Sequence, residues 1–329
     1  MNYRLWDQRF SPFLLKMRIA EELRAAIDVG TNSVKLLLAK VNNGEVIPVS
    51  EESKQTRLGS GFYQTRRLQS EPIQATADAV AVFAAKARRF GASPIRLIGT
   101  SAVRDAINAA ELIEAIRQRS NLVMEVISGE QEAEWAFCGV ISDKRLATLA
   151  LLILDVGGGS SEFIVGENSI LTFRNSYQLG TVRTLESLKL GDTPGLEAMQ
   201  RCRAGVSDFI REQIAPSVTA TLHACVQKPQ LIGTGGTATI LARMAGKMED
   251  FNRDHIESLR VTLDEVRANA TFLWQNTMTR RQQIIGLPPK RADVILAGVV
   301  IYHAIMEEFG FSELRISARS LRYSALLDR

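Results

Sequence analysis

Cysteine and histidine are scarce in this sequence, and long apolar runs are missing. The 329 residues hold only three of each, widely spaced: Cys138, Cys202 and Cys225, and His223, His255 and His303. This spacing suits neither a disulfide framework nor a zinc site. It is typical of a reducing compartment and predicts a cytoplasmic protein. No apolar run reaches the roughly 18 residues of a membrane-spanning helix, so no membrane partner is expected.

Several familiar motifs are also missing. The chain has no glycine-rich loop ending in Gly-Lys-Ser or Gly-Lys-Thr, as in a P-loop, and no G-x-G-x-x-G turn of the Rossmann type. Its net charge of +4 is mild. No basic block with interleaved aromatic residues is present, so nucleic acid is not an expected partner. A haloacid-dehalogenase-type aspartyl phosphate is not favoured, because Val29 and Gly30 stand where that motif needs a second aspartate.

Strand-like and helix-like patterns alternate along the chain. Strands are predicted at 25–29, 34–41, 95–99, 123–127, 149–156, 162–166, 230–232 and 314–316, with a hairpin at 42–44. Helices are predicted at about 72–90, 109–119, 238–245 and 292–309, with a last one from about 318. Ser128-Gly129-Glu130-Gln131 has the form of a helix capping box, and the helix that it opens is predicted to run through Glu132 to about Val140. This order predicts α/β architecture, and the length favours two domains. Residues 1–22 lack the features of a secretory signal and are predicted to be an amphipathic N-terminal extension; the alternative is a start codon placed too early, with Met17 as the true start.

One supersecondary unit occurs twice. An apolar strand runs into an aspartate, a glycine-containing turn follows, and a second strand returns, in Ile27-Asp28-Val29-Gly30-Thr31-Asn32-Ser33 and again in Leu154-Asp155-Val156-Gly157-Gly158-Gly159-Ser160. Such a repeat predicts two similar domains that face each other across a cleft.

Three loops have the composition of phosphate-binding loops. They contain Thr31, Asn32 and Ser33, then Gly157 to Ser160, then Gly235 and Gly236 within Gly-Thr-Gly-Gly-Thr. Glycines let backbone N–H groups approach anions closely, and the hydroxyls add donors. Asp28 and Asp155, at the strand ends, suit Mg²⁺ or Mn²⁺, since Mg²⁺ binds through carboxylates, water and phosphate oxygens. A single such turn is as typical of an ordinary hairpin; three together predict a site for a chain of phosphates.

The sequence resembles a known family. The segments that carry the resemblance are AIDVGTNSVKLLLAKV, GTSAVRDA, EVISGEQEA, LILDVGGGSSEFIVG, LIGTGGTATILA and SARSLRYSALL. Together, and in this order, they look like the exopolyphosphatase and guanosine pentaphosphate phosphatase (Ppx/GppA) family, from about residue 25 to the C-terminus. That family belongs to the superfamily of actin, sugar kinases and Hsp70. Where the family often has Asp-Arg-Gly-Leu-Arg, this chain has Arg319-Ser320-Leu321-Arg322 after Ser317-Ala318.

The resemblance implies a fold and a division of the chain. It implies duplicated ribonuclease H-like (actin-like ATPase) domains with a phosphate-binding cleft between them. Domain I is expected at 23–140, completed by a C-terminal helix within 312–329, and domain II at 141–311. A homodimer is also expected.

The resemblance further implies roles for particular side chains. Glu132 matches the catalytic base, Asp155 the residue that orients water and metal, and Asp28 its partner from the other domain. Arg104 and Arg57 match phosphate-binding arginines. Without the resemblance, the sequence favours a solvated acid at Glu132, in the first turn of a helix, where the dipole favours an acid; the motif match reverses this.

Three further side chains are weaker candidates. Arg183 and Arg322 could contact substrate, but an arginine in such a position is more often just a surface residue; Glu162 could assist a metal.

The function expected from these features is release of terminal phosphate from inorganic polyphosphate or guanosine pentaphosphate. The water attack would be metal-assisted, with a glutamate as base. An alternative is an ATP-dependent small-molecule kinase of the same superfamily. A third is a non-catalytic, nucleotide-dependent assembly protein.

Overall fold

The computed structural model describes residues 22–188 and 190–327, so the expected N-terminal extension lies outside the described residues except for Glu22. The strands among these residues are β1 Glu22–Val29, β2 Ser33–Asn42, β3 Glu45–Gln55, β4 Ile95–Gly99, β5 Met124–Val126, β6 Ala150–Val156, β7 Ser161–Glu167, β8 Ile170–Tyr177, β9 Gln230–Thr234, β10 Arg260–Thr262 and β11 Glu313–Ile316. The α-helices are α1 Phe62–Thr65, α2 Ser70–Arg89, α3 Ser101–Asp105, α4 Ala109–Ser120, α5 Gly129–Ile141, α6 Thr181–Glu186, α7 Gly195–Phe209, α8 Ala215–Ala224, α9 Gly235–Ala245, α10 Arg253–Ser258, α11 Leu263–Gln275, α12 Met278–Arg281, α13 Ile295–Glu308 and α14 Leu321–Leu327. No helix in this part of the chain is both long and apolar enough to cross a membrane.

Two mixed sheets form the framework, which confirms the predicted α/β class. The first sheet has the order β3-β2-β1-β4-β5, and the second has the order β10-β11-β9-β6-β7-β8. In each, a central strand pairs antiparallel with the strand that follows it and parallel with a strand reached through helices. The central strands β1 and β6 are buried along most of their length because helices cover the sheets.

The two sheets share the same arrangement of their central hairpins. Val29 pairs with Val34 at the end of the first hairpin, and Val156 pairs with Ser161 in the second. The turn bond also repeats, since Gly30 N–H donates to the Ser33 carbonyl at 3.1 Å and the corresponding bond after β6 measures 3.0 Å. The predicted duplication is confirmed at the level of individual hydrogen bonds.

The predicted elements are present, with two notable differences at helix starts. Helix α9 begins at Gly235, earlier than predicted, and α14 begins at Leu321, later than predicted. The four residues before α14 are held in an irregular turn against the second sheet. Ser317 N–H donates to the Gly233 carbonyl at 2.9 Å, and the Thr234 hydroxyl donates to the Arg319 carbonyl at 2.7 Å. These bonds to β9 delay the start of the helix.

Helix α5 lies between the two sheets and packs on both. On one side, Trp135 shares a buried cluster with Ile98 of the first sheet. On the other, Phe137 shares a cluster with Ile153 of the second sheet. Alternate faces of one helix therefore belong to different cores, and the helix joins the two halves through apolar contact.

The C-terminal segment crosses from one half to the other. Strand β11 pairs with β9 in the second sheet, and the chain then returns so that α14 packs on α5 and β1. The Ser324 hydroxyl donates to the Trp135 carbonyl at 2.6 Å and Arg24 donates to the Leu326 carbonyl at 2.7 Å. The return to the first half thus takes place at α14, after residue 316; the domain boundaries given above stay a prediction.

The close fit between α5 and the C-terminal segment can be tested by a pair of glycine substitutions. A Cβ at Gly139 would lie 2.5 Å from the Ser320 carbonyl oxygen, whereas one at Gly205 in α7 would meet nothing within 4 Å. We expect Gly139→Ala to lower the free energy of unfolding by about 1–3 kcal/mol through overpacking. Gly205→Ala should raise it by roughly 0.5–1 kcal/mol through helix propensity. Denaturant titration followed by circular dichroism measures both, and equal stability of the two variants would contradict the close packing.

Candidate active site

The two aspartates predicted to bind a metal stand at the carboxyl ends of the central strands. Asp28 is near the end of β1 and Asp155 near the end of β6, each directly before its glycine-containing turn. Asp28 is 5% exposed, and its Oδ1 is buried without a hydrogen-bond partner among the described residues. Since the two hairpins are equivalent, the repeat itself brings the two carboxylates to facing edges of the cleft.

A cavity of about 60 Å³ lies between the two turns. It is lined by most of the side chains and loops predicted from the sequence: Asp28, Thr31, Asn32, Ser33, Glu132, Asp155, Gly157, Gly158, Gly159, Ser160 and Gly236. We refer to it below as the central cavity.

Glu132 reaches the central cavity from the first turn of α5. The Ser128 side chain caps this helix by accepting a hydrogen bond from Gln131 N–H at 3.1 Å, which confirms the predicted N-terminus. Arg104 donates to a Glu132 carboxylate oxygen at 3.1 Å and to the Ile127 carbonyl at 3.0 Å. Burial raises the pKa of Glu132 to about 7, although the charge and hydrogen bond of Arg104 oppose the rise. The carboxylate is therefore fixed in position and basic enough to accept a proton near neutral pH.

A half-buried lysine lies near both aspartates. Lys35 lies in β2, and its charge opposes the rise that burial causes in the pKa of Asp28 and of Asp155. Arg322 acts in the same direction on both carboxylates. It is 8% exposed and donates to the Leu36 carbonyl at 3.0 Å. The expectation that Arg322 lies at the surface was therefore wrong.

Glu162 is a second buried acid beside Glu132. The hydroxyls of Ser160 and Ser176 donate to it at 2.9 and 2.8 Å. Burial, and then the charges of Glu132 and Asp155, raise its pKa well above the usual value. Such a carboxyl group tends to hold a proton until a cation arrives nearby.

The donor set fits a divalent cation that is shared with phosphate. No three acidic, histidine or cysteine side chains among the described residues cluster as a closed metal site requires. Mg²⁺, however, is commonly bound by only one or two carboxylates together with water and phosphate oxygens. Asp28, with its unpartnered Oδ1, and Asp155 supply that number.

The glycine loop after β6 is packed tightly against α6. The Gly157 carbonyl accepts a hydrogen bond from Thr181 N–H at 2.9 Å, and the Gly158 carbonyl accepts one from Val182 N–H at 2.8 Å. Arg183 donates to the Gly159 carbonyl at 2.8 Å, and 24% of its side chain is exposed. These carbonyls are turned toward α6, which favours anion binding on the opposite side of the loop.

The third loop touches Asp155 directly. Gly235 has φ 78°, a conformation that favours glycine, and a Cβ there would clash with the Asp155 carboxylate. The Thr237 hydroxyl donates to the Val156 carbonyl at 2.8 Å, which ties the loop to β6. Gly236 lines the central cavity, but Gly235 lines a neighbouring cavity of about 420 Å³.

Two predicted phosphate-binding arginines lie outside the central cavity. Arg57 forms an ion pair with Asp293 at 2.7 Å and lines a third cavity, of about 310 Å³, that adjoins Thr31 and Asn32. Arg104 lies behind Glu132. The structure thus separates both arginines from the place where the glycine loops converge.

Several residues of the central cavity were missed in the sequence. Lys35 and Arg291 both line it, and Arg291 donates to the Ser33 hydroxyl at 3.0 Å. Burial lowers the pKa of Arg291 to about 10. Lys35 could have been predicted, because it is a lysine within the apolar run of β2. Arg291 gave no such signal in the sequence, because it lies in a turn far along the chain.

Comparison with known proteins identifies the family. The family model described as the Ppx/GppA phosphatase family matches residues 37–329. Exopolyphosphatase 2 of Mycobacterium tuberculosis is 30% identical over 312 residues, covering 90% of this chain and 95% of that protein. The guanosine-5'-triphosphate,3'-diphosphate pyrophosphatase of Aeromonas hydrophila is 28% identical over 304 residues, covering 91% of this chain and 58% of that protein. The structure of the Aquifex aeolicus PPX-GPPA enzyme superposes with a TM-score of 0.74 at 26% identity, over 94% of this chain and 100% of that one.

These matches test two predictions made from the motifs, the fold and the family. The α/β fold with two actin-like halves is confirmed. The family model covers most of the chain, and the mycobacterial relative aligns along nearly its whole length. The chain therefore belongs to the Ppx/GppA phosphatase family.

Proposed function

We propose that this protein is a phosphohydrolase that releases the terminal phosphate of inorganic polyphosphate or of guanosine pentaphosphate. The observation that carries the proposal is the position of Glu132, a buried carboxylate with a raised pKa, on the same 60 Å³ cavity as the three glycine loops. The two substrate classes come from the names of the relatives, an exopolyphosphatase and a guanosine-5'-triphosphate,3'-diphosphate pyrophosphatase.

In this proposal the residues of the cavity have separate roles in binding and catalysis. Backbone N–H groups of the loops, with the hydroxyls of Thr31 and Ser160, hold the terminal phosphoryl group. Glu132 accepts a proton from water as the water oxygen bonds to phosphorus and the P–O anhydride bond breaks. Arg104 keeps the Glu132 carboxylate aimed at the cavity through the 3.1 Å contact. Lys35 and Arg291 balance the charge of the incoming phosphates.

A divalent cation, Mg²⁺ or Mn²⁺, held by Asp28 and Asp155 would supply charge neutralisation on the phosphate oxygens. The homodimer and the cytoplasmic location expected above stay predictions.

The kinase alternative is not favoured, because the relatives carry phosphatase and exopolyphosphatase names. A phosphate-release assay on polyphosphate and on guanosine pentaphosphate, side by side and without an acceptor, tests the proposal directly. Release of orthophosphate from either substrate supports it. Transfer that occurs only when a hydroxyl acceptor is added would favour the kinase, and filaments that sediment on addition of ATP would favour the assembly protein.

Glu132→Gln removes the base and keeps the shape of the side chain. We expect turnover to fall by about 10²-fold or more while substrate binding is retained. Glu130→Gln is a matched control, since Glu130 lies in the same helical turn with 72% of its side chain exposed. Steady-state kinetics and equilibrium binding of both variants check this. A Glu132→Gln variant within about threefold of the parent rate would reject Glu132 as the base.

The raised pKa of Glu132 also predicts the pH profile. Only the ionised carboxylate can accept a proton, so kcat/KM of the parent protein should rise with pH up to about 7 and level off above it. The residual activity of the Glu132→Gln variant should not show this rise of kcat/KM with pH. A parent profile that is flat between about pH 5 and 8 would show that no group with this pKa controls the reaction.

Hydrolysis should require a divalent cation, because two buried aspartates would otherwise repel a polyphosphate. Asp28→Asn and Asp155→Asn should each raise the metal concentration needed for half-maximal rate, or abolish the activity. Asp208→Asn serves as the control, because Asp208 lies on α7 and forms an exposed ion pair with Arg211. Metal titration after exhaustive chelation measures all three variants, and full activity of the chelated parent protein would overturn the metal assignment.

A further inference from the structure

A short turn between α12 and α13 brings Arg291 to the central cavity. We call residues 289–293 the Arg291 turn; within it, Arg291 N–H donates to the Pro288 carbonyl at 2.7 Å. The Arg291 side chain lies between two of the three phosphate loops. It donates to the Ser33 hydroxyl at 3.0 Å, and a Cβ added to Gly236 would lie 3.4 Å from its Nη2 atom. The place of Arg291 in the site therefore depends on where the main chain of this turn lies.

Contacts between the Arg291 turn and the first half lie mostly at the surface. Gln55 and Arg57 donate to the Lys290 carbonyl at 2.9 and 3.3 Å, and Arg57 also pairs with Asp293. More than half of the Arg57 side chain is exposed. Exposed contacts of this kind contribute little to holding a group in place. A fixed position of the turn therefore depends on contacts within the second half, to which the turn belongs.

Arg281, the last residue of α12, makes such a contact. It is one of the largest fully buried side chains among the described residues, with 1% of the residue exposed. Its Nε donates to the Ala292 carbonyl at 2.9 Å, so the bond reaches the main chain directly after Arg291. Because a guanidinium group is planar and rigid, its hydrogen bonds fix direction as well as distance.

The other side of the same guanidinium group is held at the end of helix α11. Nη1 donates to the carbonyls of Asn276 and Leu273 at 2.6 and 3.4 Å, and to the Asp192 carbonyl at 3.5 Å. A cation is favoured there, because the last carbonyls of a helix carry the negative end of its dipole. These bonds use Nη1, whereas the bond to Ala292 uses Nε, so capping of α11 does not by itself require the contact with the turn.

We propose that Arg281 is a positioning residue, which sets the place of Arg291 at the central cavity through the Ala292 carbonyl. Arg281 borders the third cavity but not the central one, so it acts on the central cavity through another residue. The proposal rests on the proposed function for the identity of the reaction. The position of the turn, however, can be measured without any substrate.

Hydrogen exchange of the full chain, without substrate, measures the turn directly. Arg281→Met removes every donor, and Arg281→Lys keeps the charge but has a single nitrogen, which cannot replace both Nε and Nη1. We expect the amides of residues 290–293 to exchange about tenfold faster or more in both variants, while α13 stays protected. Arg281→Lys provides the measurement if Arg281→Met does not fold. Exchange of the turn at the parent rate would overturn the proposal.

Trp274→Phe is the matched control for a general loss of packing. Trp274 is also buried on α11, and its indole N–H donates to the Leu296 carbonyl of α13 at 3.0 Å. Its replacement should lower the melting temperature without moving the Arg291 turn. We expect kcat/KM to stay within about twofold of the parent in Trp274→Phe and to fall by about tenfold or more in Arg281→Lys. An equal fall in both variants would overturn the positioning role.

A double-mutant cycle with Arg291→Met tests whether Arg281 acts through Arg291. If it does, Arg281→Lys should lower kcat/KM by less than about twofold once Arg291 has been replaced, because the group that it positions is gone. The same fall in kcat/KM with and without Arg291 would show that Arg281 acts by another route, and would overturn the proposal.

The two proposals fail in different ways. If the parent hydrolyses neither substrate but the turn exchanges faster in the Arg281 variants, the link between Arg281 and the turn stands and the proposed function fails. If the parent hydrolyses its substrate and the turn exchanges at the same rate in the parent and in both Arg281 variants, the proposed function stands and the positioning role fails.

Discussion

The packing of helix α5 between the two sheets is the constraint on which the rest of the site depends. Its opposite faces are buried in clusters that belong to different halves, through Trp135 on one side and Phe137 on the other. Because the helix cannot move relative to one sheet without disturbing the other, its first turn is fixed at the junction. Glu132 stands in that turn and so keeps its place beside both aspartate-bearing hairpins. The C-terminal helix α14 closes this arrangement by packing on α5.

Charge is concentrated in the cavity that this packing creates. Asp28, Glu132 and Glu162 are buried and Asp155 is half-buried, all four have raised pKa values, and the half-buried cation Lys35 lies among them. Polar atoms without a hydrogen-bond partner among the described residues line the same space: Asp28 Oδ1, Asn32 Nδ2 and Ser101 Oγ. Native proteins leave few buried polar atoms unsatisfied, and those that remain tend to mark sites where a ligand completes the hydrogen bonding.

Contacts across the mouth of the cleft are weaker than those at α5. Arg57 pairs with Asp293, but 53% of the arginine side chain is exposed, and Gln55 donates to the Lys290 carbonyl at the surface. Exposed pairs of this kind contribute at most about 1 kcal/mol. These two surface contacts therefore add little to the apolar packing at α5.

Local sequence was sufficient to predict the elements that carry the chemistry, and tertiary structure decided how they meet. Strands, hairpin turns and the Ser128 cap depend on neighbours a few residues away. The duplicated unit that carries Asp28 and Asp155, and the start of α5, were therefore predictable. Lys35 and Arg291 meet only because strands and turns from distant parts of the chain share one cavity. For the same reason Arg57 lies on a neighbouring cavity and not on the central one. Such meetings depend on burial and long-range packing, which no short stretch of sequence encodes by itself.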